Sequence, residues 1–203
     1  MLTIVFAETS LEFFKGRAID ANDDWKALSR YENKDKRGRP DIAHDLLKMS
    51  LDSELNKRGE LRVFMHTYDE RVIAISGEWR VPRSYKRFVG LMEDLERKGR
   101  IETDGKTLLK IESKTLKQLL SELKADFIVM DAAGKKTKLK ALVTLLAKKA
   151  DTGIILGGFP HGAFLDKSKA LEGLPRVALG GVELTAPAVL AKVLTCAEMA
   201  RED

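Results

Sequence analysis

The chain opens on a continuous apolar run, LTIVFA at residues 2–7, partly β-branched, which predicts a strand buried on both faces. Residues 20–39 are polar and charged, and ENKDKRGRP (32–40) reads as an exposed loop ending where Pro40 starts a helix. Ile42, Leu46, Leu47 and Met49–Leu51 give that helix an apolar stripe. LRVFMHT (61–67) and RVIAIS (71–76) predict two strands of a hairpin across YDE. Pro82 marks a further helix start, with Phe88, Leu91, Met92 and Leu95 at helical spacing. TLLKIE (107–112) predicts a short strand, and Ser113 caps a helix over KTLKQLLSELK (114–124).

From there strands and helices alternate. DFIVMD (126–131), TGIILGG (152–158) and PRVALGG (175–181) predict strands, and KLKALVTLLAKKA (138–150) a helix between the first two. Thr185 and Pro187 open a final helix that runs through about Met199. This alternation predicts an α/β fold with a mostly parallel sheet and helices on both faces, where ligands sit at the carboxyl ends of strands.

Length and composition add bounds. The 203 residues fit one domain, and 44% hydrophobic with 33% charged residues allow a sizeable core and solubility. Lys and Arg exceed Asp and Glu by 36 − 31 = 5, a mild excess that permits an anionic partner without demanding one. The one cysteine, Cys196, leaves no disulfide framework within the chain and sits in an apolar helical pattern as a small core residue. No apolar run approaches a bilayer span, and MLTIVFAETS lacks the features of a signal peptide, so a cytoplasmic location is expected.

Candidate chemistry is concentrated in three places. LGGFPHG (156–162) and VALGGVELT (177–185) are glycine-rich strand exits, which serve as tight turns or as backbone cradles for a cofactor. DAAGKKTK (131–138) approaches a phosphate loop but has Val129 where the first glycine belongs, which excludes an NTPase. His44, His66 and His161 lack metal-ligand spacing, and no G-x-S-x-G supports hydrolysis. In WRVPRSYKRFVGLM (79–92), a helix from Pro82 would set Arg83 and Arg87 one turn apart, with Arg80 just before them and Trp79 and Tyr85 nearby. Such a guanidinium row suits phosphates, and the aromatic rings suit unpaired bases. The loop cations Lys34, Lys36, Arg37 and Arg39 add to the charge. In Arg39-Pro40-Asp41, Pro40 suits a first helical turn and Asp41 its dipole, while Arg39 is free to hold the carboxylate.

RPDIAHDLLKMSLDSELNKRGELRVFMHT (39–67) and RVPRSYKRFVGLM (80–92) resemble the two signatures of the Nep/Emg ribosome-biogenesis proteins. LLKIE (108–112), GGFPHG (157–162) and LPRVALGGVEL (174–184) follow in that family's order, so the resemblance spans residues 2 to about 200 and is to the compact archaeal form. It implies a single SPOUT-class methyltransferase domain over 1–203, in which 20–112 include an RNA-binding elaboration and 125–200 form a cofactor-binding region with a C-terminal trefoil knot. It implies a homodimer that uses S-adenosyl-L-methionine to methylate ring N1 of a pseudouridine in small-subunit ribosomal RNA, with ribosomal proteins or assembly factors as further partners. The implied cofactor residues are Gly157, Gly162, Ala163, Phe164, Leu174, Pro175, Arg176, Val177, Ala178 and Leu179. The implied RNA contacts are Arg39, Arg80, Arg83 and Arg87, and Asp41 with Arg39 is the implied catalytic pair; no metal is implied. Two alternatives are an RNA-binding assembly factor with little or no transferase activity, and a SPOUT enzyme acting on another base or on tRNA.

Overall fold

The structure is a computed structural model that describes residues 1–147, 151–165 and 169–202. Its strands are β1 (Leu2–Thr9), β2 (Phe13–Phe14), β3 (Arg17–Ala18), β4 (Leu61–Thr67), β5 (Val72–Ile75), β6 (Arg100–Thr103), β7 (Lys106–Glu112), β8 (Asp126–Thr137), β9 (Thr152–Gly157) and β10 (Arg176–Leu179). Its α-helices are α1 (Ala21–Leu28), α2 (Pro40–Asp52), α3 (Glu54–Lys57), α4 (Tyr85–Lys98), α5 (Leu116–Leu123), α6 (Leu139–Ala147) and α7 (Ala186–Met199), with short 3-10 turns at Lys34–Lys36 and Lys169–Leu171.

Eight strands form one sheet in the order β10-β8-β9-β1-β4-β5-β7-β6. The first five run parallel, and β5, β7 and β6 add an antiparallel extension. The strand β1 lies between two parallel neighbours, and all eight of its residues are buried. That is the physical reason for its unbroken apolar run. Leu2, Ile4 and Phe6 join a core with residues of α2, α4, α6 and α7, while Val5 and Ala7 face a second core with Leu116 and Leu119 of α5. The two faces are thus covered as the alternation predicts. Among the described residues no helix is long and apolar enough to cross a membrane.

Two irregularities shape the strand ends that concern function. Phe6 pairs with Met65 but Thr9 pairs with Thr67, so β1 carries an extra residue there. Glu8 takes up that bulge with φ of 51° and donates its backbone N–H to His66 Nδ1 at 3.3 Å. On the other side, Arg176 pairs with Val129 but Val177 pairs with Lys135. A single step along β10 therefore spans the excursion 130–134 of β8. A β-carbon on Gly134 would come within 2.6 Å of the backbone of Arg176 and Val177, so this crossing needs a glycine.

Several expected boundaries move. The polar stretch 20–39 holds α1, capped by Asp20, whose side chain accepts from the Asn22 N–H. Thr115, not Ser113, caps α5, through a reciprocal pair with Gln118 that satisfies two backbone donors. Helix α4 starts at Tyr85 rather than Pro82, because the Pro82 carbonyl accepts from His44 Nε2 at 2.6 Å and Ser84 stays extended as its N-cap. The predicted helix end at 148–150 lies outside the described residues.

Candidate functional site

The parallel strands β8, β9 and β10 deliver their carboxyl ends to one edge, and a cavity of about 500 Å³ opens there. Its size falls within the range of about 300–1,000 Å³ usual for small-molecule sites. Gly157, Gly162, Ala163 and Phe164 line it from the β9 exit, and Val177, Ala178 and Leu179 from β10. Leu174 and Pro175 do not: they border a separate apolar groove of about 340 Å³ with Phe127 and Leu145. Arg176 does not line the cavity either, but pairs its guanidinium with Asp131, which does.

These walls suit a nucleoside carrying an amino-acid chain. Leu156, Val177, Leu179 and Val189 offer apolar surface, while Asp131, Glu183 and Lys136 bring charge of both signs. Gly180, at φ of 86°, and Gly181 line the wall where an added β-carbon would meet nothing within 4 Å. A side chain there would occupy space the cavity now keeps, and bare backbone can approach a ligand closely.

The cationic loop before α2 is not a free charged surface. Lys36 is buried with Glu8, its ammonium 3.3 Å from Glu8 Oε2 and 3.7 Å from the Phe159 ring centre. It also donates to the Ala163 carbonyl. Arg37 donates to Glu12 at 2.8 Å and lies between the rings of Tyr31 and Tyr68 at 4.6 and 4.9 Å. Both cations therefore fix the loop against the β1 end.

Arg39 follows directly, its N–H donating to the Ser10 carbonyl at 3.0 Å. Ser10 in turn donates its N–H to the Gly158 carbonyl at 3.0 Å, so the start of α2 abuts the glycine-rich β9 exit. Arg39 grips Asp41 as a fork, Nε to Oδ1 at 2.8 Å and Nη2 to Oδ2 at 2.6 Å. Burial pushes the Asp41 carboxyl up, but the Arg39 bonds and charge, with backbone N–H groups of the first helical turn, outweigh it and hold the group below the usual carboxylate range. Beside this pair, Tyr85 donates its hydroxyl to Asp20, and burial with that bond pushes the phenol well above its usual range, so it stays protonated. Asp41 does not line the cavity; the Ser10–Gly158 seam lies between them.

Arg80, Arg83 and Arg87 are all exposed, and among the described residues none has an ion pair or side-chain hydrogen bond. Arg17, Arg37, Arg71, Arg97 and Arg176 each hold a carboxylate instead. The row differs from its predicted form, since Arg83 precedes α4 and only Arg87 is on it. Nor are both neighbouring aromatics available to bases. Trp79 is 4% exposed within the core, and the hydroxyl of half-buried Tyr85 is engaged by Asp20.

The family model described as EMG1/NEP1 methyltransferase matches residues 4–198, nearly the whole chain. The chain belongs to the EMG1/NEP1 methyltransferase family. The ribosomal RNA small subunit methyltransferase Nep1 of Thermococcus onnurineus is 42% identical over 147 residues, covering 72% of this chain and 67% of that protein. The Nep1 of Thermococcus kodakarensis is 38% identical over 183 residues, covering 90% of this chain and 81% of that protein. The crystal structure of Archaeoglobus fulgidus Nep1 bound to S-adenosylhomocysteine superposes with a TM-score of 0.90 at 29% identity, over 99% of both chains.

Within this EMG1/NEP1 member, sequence reasoning missed the β8 excursion as a cavity wall, which contributes Met130, Asp131, Ala132 and Ala133. The nearest signal in the chain is DAAGKKTK (131–138), which fails as a phosphate loop and carries no other motif. Lys36 and Glu8 were missed as partners because each looked ordinary in its own segment.

Proposed function

We propose that this chain transfers the methyl group of S-adenosylmethionine to ring N1 of a pseudouridine in small-subunit ribosomal RNA, as a step in ribosomal small-subunit biogenesis. The observation that carries the reading is the pairing of a backbone-rich cavity at three parallel strand ends with exposed, unpaired arginines on the segment 80–87, whose Pro82 meets His44 of α2 and whose Tyr85 feels the charges of the Arg39–Asp41 fork. The names of its relatives, and the S-adenosylhomocysteine bound by the Archaeoglobus fulgidus protein, support the same chemistry.

S-adenosylmethionine supplies the electrophilic methyl when bound. Gly157, Gly162, Ala163, Phe164, Val177, Ala178 and Leu179 would hold it. The protein's task is to bring the ring nitrogen into line with that methyl and to release the N1 proton. Asp41, ionised because Arg39 holds it so, accepts a hydrogen bond from N1–H and orients the ring. Arg80, Arg83 and Arg87 hold the phosphates flanking a nucleotide extruded from its stack.

The division into an RNA-binding elaboration (20–112) and a cofactor region (125–200), a homodimer and a cytoplasmic location belong to this reading. So does a trefoil knot, supported by the strand order β10-β8-β9, in which the chain leaves β9 and crosses back past β8.

The test is mass spectrometry of matched uridine and pseudouridine oligonucleotides incubated with S-adenosylmethionine. A gain of one methyl on the pseudouridine strand alone is expected. Methylation of the uridine strand indicates a SPOUT enzyme with another target. Saturable RNA binding without cofactor binding indicates an assembly factor. Asp41→Asn with near-normal turnover, and with intact cofactor and RNA binding, removes Asp41 from the chemistry.

A further inference from the structure

We propose that the buried Lys36–Glu8 pair couples the cofactor cavity to the Arg39–Asp41 site, so that cofactor and RNA each tighten the binding of the other. The proposal rests on the function given above and adds a linkage and two positioning residues to it.

Glu8 is 1% and Lys36 7% exposed, and charges this deep are tolerated only when paired and hydrogen-bonded. Both carboxylate oxygens of Glu8 are engaged, Oε1 by the Leu165 N–H at 2.8 Å and Oε2 by the Lys36 ammonium. Lys36 extends this clamp to the Ala163 carbonyl and the Phe159 ring. Phe159 in turn meets Phe164 edge to face at 5.4 Å between ring centres. The segment gripped at Ala163 and Leu165 is therefore the one that presents Gly162, Ala163 and Phe164 to the cavity.

The opposite end of the clamp is the loop that leads into α2. The Lys36 carbonyl accepts from the Ser10 hydroxyl, and the Ser10 carbonyl accepts from the Arg39 N–H at 3.0 Å. Three residues after Lys36, the chain reaches the guanidinium that fixes Asp41. Glu8 itself sits in left-handed backbone, a conformation strained for a non-glycine residue, and such strain persists only where surroundings impose it. Here it turns the carboxylate off the end of β1 and into the clamp.

A ligand against Ala163 and Phe164 restrains the clamped segment further, and through Lys36 the same added restraint reaches residues 36–39. RNA that engages Arg39 meets a segment whose ordering has already been met by the cofactor. The effect is reciprocal by thermodynamic necessity.

The experiment measures one linkage factor in two ways. Affinity for a pseudouridine-bearing RNA hairpin is read by fluorescence anisotropy with and without saturating S-adenosylhomocysteine, and S-adenosylhomocysteine affinity by calorimetry with and without the hairpin. The unsubstituted protein should show a factor of about 5 or more in both directions, the low end of measured couplings. Lys36→Met should bring the factor close to one and speed amide exchange at Leu165, and Lys36→Arg should restore part of it. Where Lys36→Met strands Glu8 and the protein does not fold, Glu8→Gln with Lys36→Met removes both charges and serves instead. A merely structural pair would lower the melting temperature and leave the factor unchanged. A factor of one in a protein that binds both ligands overturns the linkage and leaves the proposed function standing. A protein that binds no S-adenosylhomocysteine overturns both.

Discussion

Replacing Arg80, Arg83 and Arg87 together by alanine tests the RNA face most directly. None of the three has an ion pair or side-chain hydrogen bond among the described residues, so each has its whole charge to offer a phosphate. Binding that neutralises three phosphates contributes a slope of about −2.1 in log affinity against log salt for single strands and about −2.7 for duplex. Raising salt from about 50 to 200 mM, a change of about 0.6 in its logarithm, should therefore cost the unsubstituted protein roughly 20- to 40-fold more affinity than the triple variant. The assay is anisotropy of a labelled hairpin across a salt series, without cofactor so that linkage does not enter. Arg97→Ala is the control. That side chain is likewise exposed but already holds Asp94, so its removal should leave the slope nearly unchanged. The substitutions are at the surface and should each alter stability by no more than about 0.5 kcal/mol, which a melting curve checks. An unchanged slope in the triple variant, or an equal change with Arg97→Ala, refutes the assignment of phosphates to this row.

Arg39→Gln removes the main opposition to the burial of Asp41 and leaves only the backbone N–H groups of the first helical turn, so its carboxyl should titrate higher than in the unsubstituted protein. If the proposed role of ionised Asp41 holds, the acid limb of kcat/KM should move to higher pH; a limb that stays in place argues against Asp41 as the titrating group. Trp79→Ala empties a core position and should cost about 3–5 kcal/mol in urea unfolding. Trp79→Phe should leave RNA affinity at fixed salt unchanged, since a ring 4% exposed has no face to offer a base. Gly153→Ala would drive its β-carbon into the Phe127 ring where β9 passes β8, and should cost about 1–3 kcal/mol as a lower urea midpoint at constant m.

How far these features could be read from the chain depended on how local their causes are. The run LTIVFA announced a central strand because both of its faces are buried, and the 61–76 hairpin announced itself by two apolar stretches around a short turn. Helix α1 stayed hidden because it buries only Leu28; what defines it is the Asp20 cap and the Arg17–Asp24 pair, both within polar sequence. The α4 start was misread because Pro82 carries a general helix-start signal, and a contact from His44, 38 residues away, assigns its carbonyl elsewhere. At the site, glycines marked the β9 and β10 exits because close backbone approach leaves a trace in composition. The excursion 130–134 left only Gly134 in an incomplete phosphate-loop pattern, since its course arises from the register of β10 on β8 and not from the residues of β8 alone. Lys36 and Glu8 lie 28 residues apart, one in a charged run and one at a strand end, and only the folded chain joins them.

Arg39-Pro40-Asp41 illustrates how a local explanation and a functional one divide a single tripeptide. Pro40 at the first helical position is accounted for by the helix alone. Arg39 is not, because as the N-cap residue it makes no capping bond and instead spends its side chain on Asp41. That choice bears on the chemistry. A group meant to take and keep a proton near neutral pH gains from a neighbourhood that raises its pKa, as burial alone would do here. The guanidinium does the reverse, so the carboxylate is held ionised, fixed in orientation and weakly basic. Such a group is well suited to accept a hydrogen bond from a ring N–H and poorly suited to store its proton. Under the proposed function, alignment of the nucleotide against the methyl donor would then be the larger share of what Asp41 supplies, with the N1 proton passing on to solvent as the new bond forms.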